Sequence, residues 1–178
     1  MPYFEDFPTI NYDVVGDKNL KTIRDITTRV KFKGAISSNH ALFKKYNVSD
    51  GETPEAIAFR EYGDAQLHWV VLLFNDILDP RYDWPLSQRD LNLFVKGKYT
   101  DPDGEHHREI AQSSGIDTIM IRVEADTAGS TIISNFEYED SINAKKAQIR
   151  LLKSDHVAQV VNEFSREMRG AATSDALS

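Results

Sequence analysis

The sequence predicts an α+β protein: an extended N-terminal arm, a central module of one strand and two short helices, and a C-terminal β-hairpin/helix subdomain. Three observations carry this. Two short helices with complete capping signals lie between Thr53 and Phe74, isoleucine and valine alternate from Ile119 to Val123, and an amphipathic stripe runs from Val157 to Met168.

The composition sets the bounds. A hydrophobic fraction of 40% and a charged fraction of 28% are those of a globular chain. The longest apolar run, Trp69 to Phe74, falls far short of the roughly 20 residues a membrane span needs, so no membrane contact is expected. The opening MPYFEDFPTI carries acids where a secretory signal carries positive charge, which places synthesis and folding in the cytoplasm. With no cysteine, disulfides, thiolate catalysis and Cys-based zinc sites are excluded. The net charge of −7 hides a segregation. From Lys18 to Tyr46 eight basic residues face Asp25 alone, whereas Val48 to Asp90 holds nine acids against Arg60, Arg81 and Arg89. Segments of like charge gain most from an oppositely charged segment of this chain or of a neighbour, the alternative being a solvated basic face. The lysines lack interleaved aromatics, so nucleic acid is not expected as a partner.

Residues 1–40 read as an extended arm in which Phe4, Phe7, Ile10 and Tyr12 are apolar anchors and Val30 to Lys33 alternates as a short strand. Such anchors need a groove, either in this protein or in a neighbour. Residues 41–97 form the central module. Tyr46 and Val48 alternate as a strand, and Ser49-Asp50-Gly51 breaks it. Thr53 caps a helix from Pro54 to about Glu61, with Ile57, Ala58 and Tyr62 inward, and Gly63 ends it. Asp64 caps a second helix whose buried stripe is Leu67, Val70, Val71 and Phe74. Trp69, Leu72 and Leu73 lie off that stripe, so this helix is apolar most of the way round, and something outside the small module must cover its second side.

Asp79 to Leu86 then reads as a rigid loop. Pro80 and Pro85 restrict the backbone, so Tyr82 and Trp84 are presented with little entropy left to lose on binding. Ser87 with Asp90 caps a short helix through Leu91, Phe94 and Val95 that ends at Gly97. Residues 98–115 read as a surface loop. Residues 116–170 are expected to pair Ile119, Ile121 and Val123 with Ile132, Ser134, Phe136 and Tyr138 in a hairpin, with Ala147, Ile149 and Leu151 as an added strand. Asp155 then caps a helix carrying Val157, Val160, Val161, Phe164 and Met168, and residues 171–178 form a flexible tail.

No chemistry is read from the titratable residues. His106 and His107 lie near Asp101, Asp103, Glu105 and Glu109, but adjacent side chains on a strand face opposite ways, so no metal site is expected. Glu52, Glu55, Glu61 and Asp64 cluster because helix N-termini favour acids. Nucleophile elbows, HExxH and phosphate-binding glycine loops are missing, so the chain is read as a non-enzyme with no cofactor. The candidate partner-binding residues are Phe4, Phe7, Trp69, Leu72, Leu73, Asp79, Pro80, Tyr82, Trp84 and Pro85.

Tyr46-x-Val48-x-x-Gly51-Glu52-Thr53, with Ile57-Ala58, Tyr62-Gly63, Leu67 and Asn75, resembles the lysin-motif (LysM) signature of a βααβ module. The sequence departs from it at Ile77 to Leu86, where LysM domains continue with a Gly and an apolar-x-Ile-Pro strand. The longer run from Gly51 to Ser87, with Tyr-Gly-Asp, Leu-His-Trp-Val, Asn-Asp, Asp-Pro and Tyr-x-Trp in order, is similar to the baseplate wedge protein 53 family of T4-like phages. That resemblance implies a non-catalytic subunit of a contractile tail baseplate, assembled in the host cytoplasm and carried in the virion. It further implies contacts with the helical-bundle wedge core proteins 6 and 7, with sheath-initiating protein 25 and with neighbouring wedges closing into a ring. The alternative from the LysM signature is a module binding cell-wall carbohydrate.

Overall fold

The computed structural model describes residues 3–16, 18–27, 39–113, 115 and 117–175, with side chains between Phe4 and Arg169. The expected strand at Val30 to Lys33 lies outside the described residues. After a 3-10 turn at Tyr3–Asp6, the elements are β1 (Thr9–Asp13), β2 (Leu20–Arg24), β3 (Phe43–Asn47), α1 (Pro54–Tyr62), α2 (His68–Phe74), α3 (Pro80–Asp83), α4 (Gln88–Lys98), β4 (Glu105–Ser113), β5 (Thr118–Val123), β6 (Thr131–Ser134), α5 (Asn135–Ala147), β7 (Gln148–Leu152) and α6 (Ser154–Asp175). The α+β class holds. The chain divides into two units that interleave along the sequence, one of Met1–Tyr46, Thr53–Leu78 and Ile149–Ser178, the other of Asn47–Glu52 and Asp79–Gln148.

In the first unit the capping residues act as their positions predict. Thr53 accepts from the Ala56 N–H at 3.3 Å, Pro54 opens α1, and Gly63 ends it at φ 79° with its N–H on Phe59 O. Asp64 caps a single 3-10 turn at Ala65–Leu67 before α2 begins, so the second helix is shorter than expected. Val70, Val71 and Phe74 are buried as the stripe requires. The second side of α2 is covered from within the chain. Trp69 packs on Phe164 of α6 with ring centroids 4.5 Å apart, and Leu73 packs on the same core. Phe7 joins it at 3% exposure, beside Phe164. A chain distant in sequence thus supplies what the module lacked.

The return strand is also distant. Lys153 N–H donates to Leu42 O and Val48 N–H to Ala147 O, so β7 runs antiparallel to β3. The strand expected at Tyr46 and Val48 is β3, shifted back to Phe43–Asn47. Along the sequence, the order β3, α1, α2, β7 is interrupted by Asp79–Gln148, which belongs to the other unit. Asn75 fastens the closure. Its Nδ2 donates to Val71 O (2.7 Å) and Arg150 O (2.9 Å), and its Oδ1 accepts the Arg150 N–H (2.9 Å). Burying Leu151 and Leu152, of which Leu152 joins the core of this unit, contributes about 1.5–3 kcal/mol each. The last helix starts one residue before Asp155, buries Val157, Val160, Phe164 and Met168, and keeps helical backbone to Asp175, past the expected start of the tail.

The N-terminal arm is not simply extended, because β1 and β2 form an antiparallel hairpin with Ile10 opposite Ile23 and Tyr12 opposite Lys21. Asp13 accepts from the N–H groups of Val15, Gly16 and Lys18, which ties the connecting loop.

In the second unit, α4 packs on α5, with Leu91 and Val95 fully buried. Ser87 and Asp90 cap α4 reciprocally, and the helix passes through Gly97 to Lys98. Three expectations fail here. Residues 105–113, read as loop, are β4, the middle strand of a sheet ordered β5-β4-β6. The expected hairpin does not form, since Ile121 lies opposite Ile110, and Ile132 opposite Arg108. Phe136 and Tyr138 sit in α5, which starts with a capping box between Ser134 and Glu137. Ile149 and Leu151 do form a strand, β7, but it joins β3.

Candidate interaction surfaces

The expected binding residues divide by exposure. Phe7 (3%), Trp69 (7%) and Trp84 (8%) are buried within the chain, so these three are not presented as anchors. Leu72, Leu73, Asp79 and Pro85 are half-buried, while Phe4, Pro80 and Tyr82 are exposed. Among the described residues, two surfaces, each within one unit, present exposed apolar side chains on a hydrogen-bonded framework.

The first is built on α3 in the second unit. Asp79 caps the turn by accepting the Arg81 N–H at 3.0 Å, and Asp83 accepts the Asp79 N–H at 3.1 Å. The Arg81 guanidinium forks onto Asp79, with Nε to Oδ1 at 3.1 Å and Nη2 to Oδ2 at 3.0 Å. That bond holds the Asp79 carboxyl below its usual range and the guanidinium above its own. The chain after α3 is clamped at successive points. Trp84 Nε1 donates to Glu52 O at 2.9 Å, and Asn143 of α5 accepts the Leu86 N–H (2.7 Å) and donates to Leu86 O (3.0 Å). Asp50 accepts the Gln88 N–H, and Lys146 donates to Tyr82 O. Between these clamps the Tyr82 ring projects at 71% exposure, with the Arg81 cation 5.9 Å from its centroid. The prolines and clamps leave Tyr82 on a rigid backbone, and a rigid aromatic loses little entropy when a partner covers it.

The second surface is the β1–β2 hairpin of the first unit, of which the sequence reading singled out only isolated anchors. Side chains alternate across a ribbon, so Ile10, Tyr12, Lys21 and Ile23 share one face, and Asn11 and Thr22, hydrogen-bonded at 2.9 Å, lie on the other. Ile10 (40%), Tyr12 (55%) and Ile23 (36%) are uncovered, with Val14, Val15 and Leu20 exposed around the connecting loop. A two-stranded ribbon is marginal by itself. This one is held at its base, where Arg24 Nη1 donates to Phe7 O (2.8 Å) and the Asp25 N–H to Pro8 O (2.8 Å). Asp6 adds a tether to α6 by accepting from Ser165 Oγ at 2.6 Å and Arg169 Nη2 at 3.1 Å. The Ser165 bond, aided by Arg169, holds the Asp6 carboxyl below its usual range. The alternation in TINYD and LKTIR around a Gly-containing turn was the available signal.

Among the described residues no group of three His, Asp or Glu side chains is placed to hold a metal ion, and no helix is long and apolar enough to cross a membrane. His68 Nδ1 contacts the Ala65 carbonyl of its own turn.

Comparison with known proteins covers both surfaces. The baseplate wedge protein gp53 of Enterobacteria phage T4 is 34% identical over 93 residues, which are 50% of this chain and 46% of that protein. The chain therefore spans about half the length of this curated relative. The profile of the family described as base plate wedge protein 53 matches residues 3–107, a stretch that contains the β1–β2 hairpin, the βαα segment and the α3 loop. With more than half of its residues inside that match, the chain belongs to the base plate wedge protein 53 family.

Proposed function

We propose that this protein is a structural, non-catalytic subunit of a phage tail baseplate, joined to other baseplate proteins through the α3 loop and the β1–β2 hairpin. The observation that carries the reading is the family match over residues 3–107, because both exposed surfaces lie inside it. A connector needs apolar anchors presented on a framework that does not rearrange when covered, and the clamped Tyr82 and the tethered ribbon meet that need. In this reading the protein holds wedge subunits together and helps wedges close into a ring. Its neighbours are the wedge core proteins 6 and 7 and the sheath-initiating protein 25, and the virion tail baseplate is its location. The LysM-like order β3, α1, α2, β7 serves there as a scaffold for protein contacts.

The test is co-sedimentation of the purified chain with baseplate wedge proteins, beside a pull-down on peptidoglycan. Binding to the wedge proteins, weakened at least tenfold by Tyr82→Ala or by Ile10→Glu, supports the proposal. Retention on peptidoglycan with no association to wedge proteins overturns it and favours the carbohydrate-binding alternative.

A further inference from the structure

The second unit contains a buried polar cluster that the proposed contacts do not use. Strand β4 carries His106 and His107 side by side, and a β-bulge between Glu105 and His107 breaks the strict alternation that would send the two rings to opposite faces. The rings meet instead, with Nδ1 to Nδ1 at 2.8 Å. His107 Nε2 lies 2.8 Å from Glu109 Oε1, and the His107 side chain is only 8% exposed. His106 stacks on Tyr138 of α5, with centroids 3.8 Å apart and planes 12° from parallel, and Tyr99 meets it edge-on at 6.3 Å. Beside Tyr138 on the same helix, Glu139 is buried and accepts from Lys98 Nζ and Tyr99 Oη, both at 2.7 Å. The charged groups facing His106 are therefore Glu139 from α5, Lys98 from α4 and Arg122 from β5, together with His107 from its own strand.

Proton counting limits this arrangement. An N–H···N bond needs one bare nitrogen and one protonated nitrogen. In the neutral pair, His107 keeps its proton on Nε2 toward Glu109, and its bare Nδ1 accepts from His106 Nδ1–H. One further proton can be held with this bond intact, on the His107 ring beside Glu109, whose Nδ1–H then donates to a bare His106 Nδ1. A second would place N–H groups and positive charges against each other at 2.8 Å. We propose that the His106–His107 pair is a pH-sensitive latch between β4 and α5, which holds one added proton and opens when both rings become charged. Burial first, then the charge of His107 and of Arg122, holds His106 below its ordinary value, and Glu139 only partly opposes them. The sign follows. An unfolded chain takes up a proton at about 6.5, before the folded His106 does, so the latch weakens as pH falls through that value and is open below the folded one.

The experiment uses the full chain between pH 7.5 and 4.5, following both imidazoles by NMR and the α5 amides by hydrogen exchange. The expected result is two separated histidine steps, with α5 protection corrected for intrinsic exchange falling at least tenfold across the lower one. His106→Phe keeps a ring on Tyr138 and removes the titration, so its α5 protection should not change with pH. Titration of the two rings as independent groups at the ordinary value overturns the proposal, whatever the fate of the variant. So does a loss of protection in His106→Phe that follows the wild type.

Discussion

Trp84 and Tyr82 stand two residues apart, yet truncating them should have opposite consequences. Trp84 is 8% exposed and donates its indole N–H to Glu52 O at 2.9 Å, whereas Tyr82 is 71% exposed. Truncating a buried aromatic residue to alanine costs about 3–5 kcal/mol. Removing the donor from the Glu52 carbonyl adds about 1 kcal/mol. A total of about 4–6 kcal/mol is a large part of the stability of most proteins. In a chain of this length each kcal/mol lowers Tm by about 2–4 °C, so Trp84→Ala should lower the transition of the second unit by about 10–20 °C. Tyr82→Ala removes a ring that touches mostly solvent and should change stability by no more than about 0.5 kcal/mol, or about 1–2 °C. Differential scanning calorimetry of both single variants, run beside co-sedimentation with wedge proteins, separates the roles. Trp84→Ala melting within about 3 °C of wild type would refute the burial argument. A drop of more than about 5 °C for Tyr82→Ala would show that its ring supports the fold.

Three further outcomes follow from the first unit. Asn75→Ala leaves the Arg150 N–H and C=O without their side-chain partner, which should cost about 2–4 kcal/mol and lower Tm by about 5–15 °C in calorimetry. Phe164→Asp places an unpaired charge between Phe7 and Trp69, at several kcal/mol, and near-UV circular dichroism should show the packing of this unit lost. Asp6 has a depressed folded pKa, so its tether contributes fully above the ordinary carboxylate value of about 3.9 and is lost as pH falls through the lower folded value. The stability gap between wild type and Ser165→Ala, measured by urea unfolding, should therefore be present at pH 6 and shrink toward pH 2.5. A constant gap would refute the role given to Asp6.

What could be read from the chain by itself was whatever is decided within a few residues. Thr53 with Pro54, Gly63, and Ser87 with Asp90 marked helix ends correctly, because a cap is a contact between a side chain and a backbone group two or three positions away. The Val157 to Met168 stripe was legible for a related reason, since a helix places residues three and four apart on one face wherever it packs. The run from Gly51 to Ser87 also carried the family, and the match over residues 3–107 agrees with it.

Strand partners were beyond that reach. The alternation of Ile119, Ile121 and Val123 marked a strand, but an alternating strand is equally ready to pair with any neighbour, and β4 took the place expected of Ile132 to Tyr138. β4 itself was hidden because EHHREIAQS is mostly polar, and its His and Glu side chains are satisfied by one another and by α5. The same limit decided the binding residues. Phe7, Trp69 and Trp84 have the size and apolarity of anchors, and nothing local distinguishes a ring that meets a partner from one that meets its own chain. Phe164, distant in sequence, buries the first two, and the Glu52 carbonyl takes the indole N–H of the third. Only a closed backbone brings those groups within reach, and burial, unlike capping, depends on everything that has closed around a side chain.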